Sequence, residues 1–99
     1  MTAGVVRLFL VDDHPLVRDG LRARLDPLPG IEVVGEAGSG AEALAAIPAL
    51  QPDLVLADVG MKDMNGIELA AALHAQQSGV RVVMLSMYDN PEYVQQALQ

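Results

Sequence analysis

Apolar and polar positions in this chain fall into blocks rather than a uniform alternation. Residues 5–11, 53–58 and 80–86 are nearly continuous runs of Val, Leu, Phe and Met. Such runs are expected of strands covered on both faces by helices, as in a parallel sheet. A fourth run, "IEVVGEA" at 31–37, carries Glu32 and Glu36 and suits an edge strand. The stretches between have helical spacing. Pro15 stands just inside the first helix, where its missing N–H costs nothing, and Leu16, Val17, Leu21 and Leu25 are predicted to form its inner stripe. Ser39 with Glu42, and Asn65 with Glu68, read as capping boxes for the second and third helices. Asn90-Pro91 opens a fourth, with Tyr93, Val94, Ala97 and Leu98 at helical spacing. Pro48 is expected to end or kink the second helix near Ile47.

The order β-α-β-α-β-α-β-α predicts an α/β fold, a doubly wound parallel sheet forming one domain over residues 1–99. The last helical pattern stops without a cap, and a fourth strand at the end of the sheet would be a long apolar edge. The chain is therefore expected to be a fragment of something larger. It is also expected to self-associate, as a homodimer or otherwise, through the fourth-helix and fourth-strand edge around Val82 to Leu85.

Composition narrows the setting. The chain is 52% hydrophobic and 19% charged, as in globular domains, and has no cysteine, which excludes disulfides and thiolate metal sites. A formal charge of −7 disfavours general attraction to nucleic acid or anionic membranes. No basic n-region opens the chain and no run approaches the ~20 apolar residues of a membrane span. A soluble, cytoplasmic protein without a membrane partner is expected.

The chemistry gathers at strand ends. "LFLVDD" ends on Asp12 and Asp13, "LVLAD" on Asp58 and "VVMLS" on Ser86. Open α/β sheets bind ligands at the carboxyl ends of their strands. With parallel strands and the first and third adjacent, three carboxylates would share a pocket and repel one another. A hard divalent cation such as Mg²⁺ relieves that repulsion and commonly works with phosphate. A carboxylate there can also act as a nucleophile, forming an aspartyl-phosphate, with a hydroxyl such as that of Ser86 hydrogen-bonding a phosphoryl oxygen.

The stretches "LVDDHPLVRDGLRARL", "VVGEAGSGAEAL", "PDLVLADVGMKDMNGIEL" and "VVMLSMYDNPEYVQQAL" resemble the receiver domain of bacterial response regulators, most of all the LuxR/NarL type of transcription factor. The resemblance covers essentially the whole chain. It implies a flavodoxin-like sheet of strand order 2-1-3-4-5, with the fifth strand missing from this chain. It further implies Mg²⁺-dependent phosphoryl transfer from a sensor histidine kinase to an aspartate. By position, Asp58 matches the phosphoacceptor and Asp13 the direct acidic metal ligand. Asp12 matches the acidic partner acting mainly through water, and Gly60 the residue whose backbone carbonyl completes the metal site. Ser86 matches the switch hydroxyl. DNA would be contacted only through an output domain outside this chain.

The sequence departs from the family pattern where Lys62 replaces a usual proline and Gly60 a usual polar residue. The lysine that pairs with the phosphoryl group belongs to the fifth strand and is absent from the chain. These departures motivate an alternative, a pseudo-receiver acting as an interaction or dimerisation module without phosphorylation. An aspartyl-nucleophile phosphatase fits less well, because "DVG" lacks a second carboxylate two residues after Asp58. His14 reads as an N-terminal turn residue rather than a base, and His74 as an exposed helix residue. Met61, Met64 and Met84 read as gap fillers. Arg18, Arg22 and Arg24 read as a solvated face that could also meet a kinase. Tyr88, beside Ser86 with Met87, has two readings: it sets access to the phosphoryl group, or it simply packs.

Overall fold

In a computed structural model of the chain, described at residues 4–58, 60–61, 63–76 and 79–85, the apolar runs pair into a four-stranded parallel sheet. The elements are β1 (Val6–Val11), α1 (Pro15–Leu25), β2 (Ile31–Ala37), α2 (Gly40–Leu50), β3 (Leu54–Asp58), α3 (Gly66–Ala75) and β4 (Arg81–Leu85). The strand order is β2-β1-β3-β4, as expected, with the Glu-bearing β2 at an edge. Among the described residues β4 pairs only with β3.

Apart from Arg7 near the start of β1 and Asp58 at the end of β3, the central strands are apolar because each face has its own core. Phe9, Val11, Val55 and Ala57 point to one side, where they meet Ala43 and Ile47 of α2 and Leu69 and Leu73 of α3. Leu8, Leu10 and Leu56 point to the other, against Leu25 of α1. Met61 and Met64 join the α2/α3 side, as their reading as gap fillers anticipated. The edge strand makes room for its neighbour. Pairing slips between Leu8 and Phe9, opposite Val33 and Gly35, and a Cβ on Gly35 would stand 2.9 Å from the Phe9 ring. A glycine in a strand at such an irregularity lets a large side chain lie directly on the backbone.

Three expectations about the helices need correction. Leu16 is 86% exposed, not part of the inner stripe. At roughly 100° per residue it lies about 140° around the helix from Leu21, and Arg18 takes the inward position beside Leu21 and Leu25. Pro48 does not end α2, which runs on to Leu50 and closes at Gln51, a left-handed residue (φ 48°) whose N–H bonds the Ile47 carbonyl. The proline sits in the last turn on the exposed side, so the helix forgoes one internal bond without a clash against the core. The α2 capping box is also incomplete. Ser39 Oγ accepts from Glu42 N at 3.1 Å, but the Glu42 carboxylate accepts from Gly38 N, not from Ser39. The box at α3 is complete: Asn65 Oδ1 accepts from Glu68 N at 2.8 Å and Glu68 Oε1 from Asn65 N at 3.0 Å.

Candidate metal and phosphoryl site

The register of β1 against β3 builds the site. Val11 pairs with Ala57, so the next residue on each strand brings Asp12 beside Asp58. The chain leaves β1 outward to β2 and then crosses back to β3. The crevice between the carboxyl ends of β1 and β3 is thus the topological switch point, where such sheets bind ligands. Asp12 and Asp58 are buried, at 3% and 8% exposure. One ligand atom from each of Asp12, Asp13, His14 and Asp58 lies within 4.8 Å of the others. Three carboxylates do meet, as the strand ends implied.

Backbone amides aim the two buried carboxylates. Asp12 Oδ1 accepts from His14 N at 2.8 Å, and Asp58 Oδ1 from Gly60 N at 3.1 Å. Each is an aspartate bonding the amide two residues on, a turn that holds the side chain in one orientation. His14 is the N-cap of α1, as its reading as a turn residue suggested, but its side chain makes no capping bond. Its Nδ1 instead lies 2.9 Å from Asp13 Oδ1, 3.1 Å from Asp12 Oδ1 and 3.8 Å from Asp58 Oδ2. His74 is exposed on α3, as expected.

Two residues beyond the acidic set have roles that the sequence reading missed: Arg18 bonds the acidic corner and Asp63 ties the loop after Asp58 to α2. Arg18, expected on a solvated face, donates through Nη1 to the Asp12 carbonyl at 2.6 Å and through Nε to Glu36 Oε1 at 3.1 Å. Arg22 reaches Glu36 Oε2 at 2.9 Å. Bonds from Arg22 and then Arg18 hold the Glu36 carboxyl below its ordinary value. Gly38 leaves the path open, since a Cβ there would meet Arg18 Nη1 at 3.1 Å. Arg24 is exposed, as expected. On the β3–α3 loop, the Asp63 carboxylate accepts from Gly40 N at 3.0 Å and Ala41 N at 2.9 Å, the open N-terminus of α2. Those bonds hold its carboxyl below the ordinary value. Met64 lies over Gly40, whose Cβ would collide with the Met64 side chain. Ser86, Tyr88 and Lys62 lie outside the described residues.

The donor set fits a hard divalent cation. Carboxylate oxygens from two strand ends converge, and the short loop that carries Gly60 begins beside them. Among the described residues no helix is long and apolar enough to cross a membrane.

Comparison with known proteins agrees with this geometry. The family model for the response regulator receiver domain matches residues 8–99. The DNA-binding transcriptional activator DevR/DosR of Mycobacterium tuberculosis is 45% identical over 94 residues, which cover 95% of this chain and 43% of that protein. The chain thus spans less than half the length of the curated relatives it matches. The signal receiver domain of the response regulator NarL from M. tuberculosis superimposes with a TM-score of 0.80 at 43% identity, covering 96% of this chain and 77% of that one. The isolated REC domain of RcsB from Salmonella enterica, solved in the presence of the phosphomimetic BeF3⁻, gives 0.76 at 26% identity, covering 95% and 70%. Strand order, acidic switch point and sequence likeness agree: the chain belongs to the response regulator receiver domain family, in its LuxR/NarL branch.

Proposed function

We propose that this receiver domain accepts a phosphoryl group on Asp58 from a phosphohistidine of a sensor histidine kinase, with Mg²⁺ held by Asp13, Asp58 and the Gly60 carbonyl and approached by Asp12 through water. The observation that carries this reading is the convergence of Asp12, Asp13 and Asp58 at the switch point. When bound, Mg²⁺ would neutralise the carboxylates and the charge on the transferring oxygens. In the transfer, an Asp58 carboxylate oxygen forms the new O–P bond as the N–P bond of the donor breaks. The electron pair stays on the donor imidazole, which takes up a proton. The Gly60 amide holds Asp58 at the crevice mouth, and Asp12, tied by the His14 amide and Arg18, keeps the acidic wall in place. The only reactions assigned to the domain in this reading are its own phosphorylation and dephosphorylation.

Ser86 is proposed as the switch hydroxyl, with Tyr88 beside it. The added charge of roughly −1.5 to −2 is enough to bias a two-state loop toward self-association through the fourth-strand and fourth-helix edge. We further propose a cytoplasmic setting in which the same change controls a DNA-binding output domain, as the name of DevR/DosR suggests for that relative.

Incubation with acetyl phosphate and Mg²⁺, read by intact-mass spectrometry, tests the site. The chain, or its full-length parent, is expected to gain one phosphoryl group, lost with EDTA and absent in Asp58→Asn. A parent protein that gains no phosphoryl group would leave the phosphorylation-independent interaction module as the better reading.

A further inference from the structure

We propose that Glu36, on the edge strand β2, is a positioning residue of the metal site: it straps the Arg18 guanidinium to the Asp12 backbone and so keeps that positive charge off the carboxylates that take the cation. The inference rests on the acidic cluster being a Mg²⁺ site, and extends it to a residue that acts on the site through another.

The end of β2 grips Asp12 by its backbone. The Asp12 amide donates to the Ala37 carbonyl at 3.1 Å. The Asp12 carbonyl accepts from Arg18 Nη1 at 2.6 Å, and Arg18 Nε donates to Glu36 Oε1 at 3.1 Å. Glu36 and Ala37 are successive residues of β2. One strand end therefore holds both backbone groups of Asp12, the amide directly and the carbonyl through Arg18. The guanidinium lies against Gly38, where a Cβ would stand 3.1 Å from Nη1. The Asp12 carboxylate, fixed by the His14 amide at 2.8 Å, belongs instead to the acidic cluster.

Charge explains why the strap ends in a carboxylate. Arg18 stays ionised, and its side chain is only 18% exposed, so its charge sits in a poorly hydrated place. Removing one partner of such a pair leaves the other charge uncompensated. Arg18 already stands at Asp12, so without Glu36 the carboxylates of the cluster would draw it inward. There it would compete with Mg²⁺ for the same oxygens. The other partner of Glu36 has no such reach: Arg22 is 44% exposed and has Asp26 at 3.8 Å, one turn further along α1. With Arg18 removed instead, Asp12 keeps its Ala37 and His14 bonds, and the competing cation is gone. A purely structural role for the pair predicts otherwise. Damage would then accumulate, and the double variant would bind Mg²⁺ no better than Glu36→Ala alone.

Isothermal titration with Mg²⁺ at neutral pH and fixed ionic strength tests this. The proteins are wild type, Glu36→Ala, Arg18→Met, the double variant Arg18→Met/Glu36→Ala, Arg22→Ala and Asp13→Asn. Far-UV circular dichroism at the titration temperature checks that each is folded. Methionine keeps the apolar stem of the arginine, and Arg18→Gln replaces it wherever the Met variant does not fold. Glu36→Ala is expected to lose about five- to tenfold in Mg²⁺ affinity, as is common for residues that orient metal ligands from behind. Arg18→Met and the double variant should lose no more than about threefold, and Arg22→Ala no more than about twofold. Arg18→Lys combined with Glu36→Ala keeps the charge and should stay as weak as Glu36→Ala. An affinity for Glu36→Ala within about twofold of wild type overturns the proposal. So does a double variant that binds no more tightly than Glu36→Ala. Failure of the underlying metal site looks different: Mg²⁺ would bind wild type and Asp13→Asn alike, or neither, and the proposal would fall with the site.

Discussion

Arg18→Ala tests how the acidic corner is held. The substitution removes a charge-assisted bond of 2.6 Å to the Asp12 carbonyl and a 3.1 Å bond to Glu36. The first, from a side chain only 18% exposed, is worth about 2 kcal/mol by analogy with bonds to charged groups. The second is partly solvated, with Glu36 26% exposed and still paired to Arg22, and adds about 0.5–1 kcal/mol. The sum is about 3 kcal/mol. For a domain of this size, that lowers the melting temperature by roughly 10–20 °C. Urea unfolding followed by far-UV circular dichroism gives the equilibrium value. Combining Arg18→Ala with Glu36→Gln closes a double-mutant cycle, with an expected coupling near 0.5–1 kcal/mol at neutral pH. Arg18→Lys should fall between the two, because an ammonium cannot serve both acceptors as a guanidinium does. The coupling also has a predicted pH dependence. Since the folded-state value of Glu36 is lowered, its contribution is complete above the ordinary value of 4.5 and is lost as pH falls through the lowered one. An Arg18→Ala variant within about 0.5 kcal/mol of wild type would refute the reasoning, as would a coupling that persists in acid.

Asn65→Ala should cost about 1 kcal/mol in the same unfolding assay, because it removes the acceptor for Glu68 N, whereas Asn65→Asp should retain most of the stability. Leu25→Ala, at a site 7% exposed, should cost about 2–4 kcal/mol, while Leu16→Asn at 86% exposure should change stability by less than about 0.5 kcal/mol; equal costs at the two sites would contradict the orientation of α1.

What was legible in the sequence followed from local rules. The continuous apolar runs marked β1 and β3 because both faces of an interior strand are buried. The equally apolar run of β4 marked a strand, although among the described residues it pairs only with β3 and Val82, Val83 and Met84 are half-buried. The two glutamates of β2 marked an edge because charge is tolerated there. The carboxylates could be brought together because each ended a strand, and parallel pairing places strand ends on one rim. The α3 capping box was readable because donor and acceptor are three residues apart. The misses share a cause, which is a partner on another element. Arg18 and Arg24 look alike in the sequence, yet only Arg18 has Glu36 and the Asp12 carbonyl within reach, a fact set by where α1 crosses β2. Leu16 was assigned inward by its type, although its helical angle pointed away. Asp63 carries no signal in its own loop, because the amides it caps lie more than twenty residues earlier, in α2.

The bridge from Asp63 to α2 turns two backbone amides into a gauge. Gly40 and Ala41 owe part of their shielding from solvent to a carboxylate on the loop that follows Asp58. Their hydrogen-exchange rates therefore report how tightly that loop is seated, at a distance from the crevice and without any label on the acidic residues. Acid should loosen the gauge, since protonating Asp63 weakens both bonds as pH falls through its lowered value. Any event that draws the loop toward or away from the crevice should register first as a change in protection at those two positions.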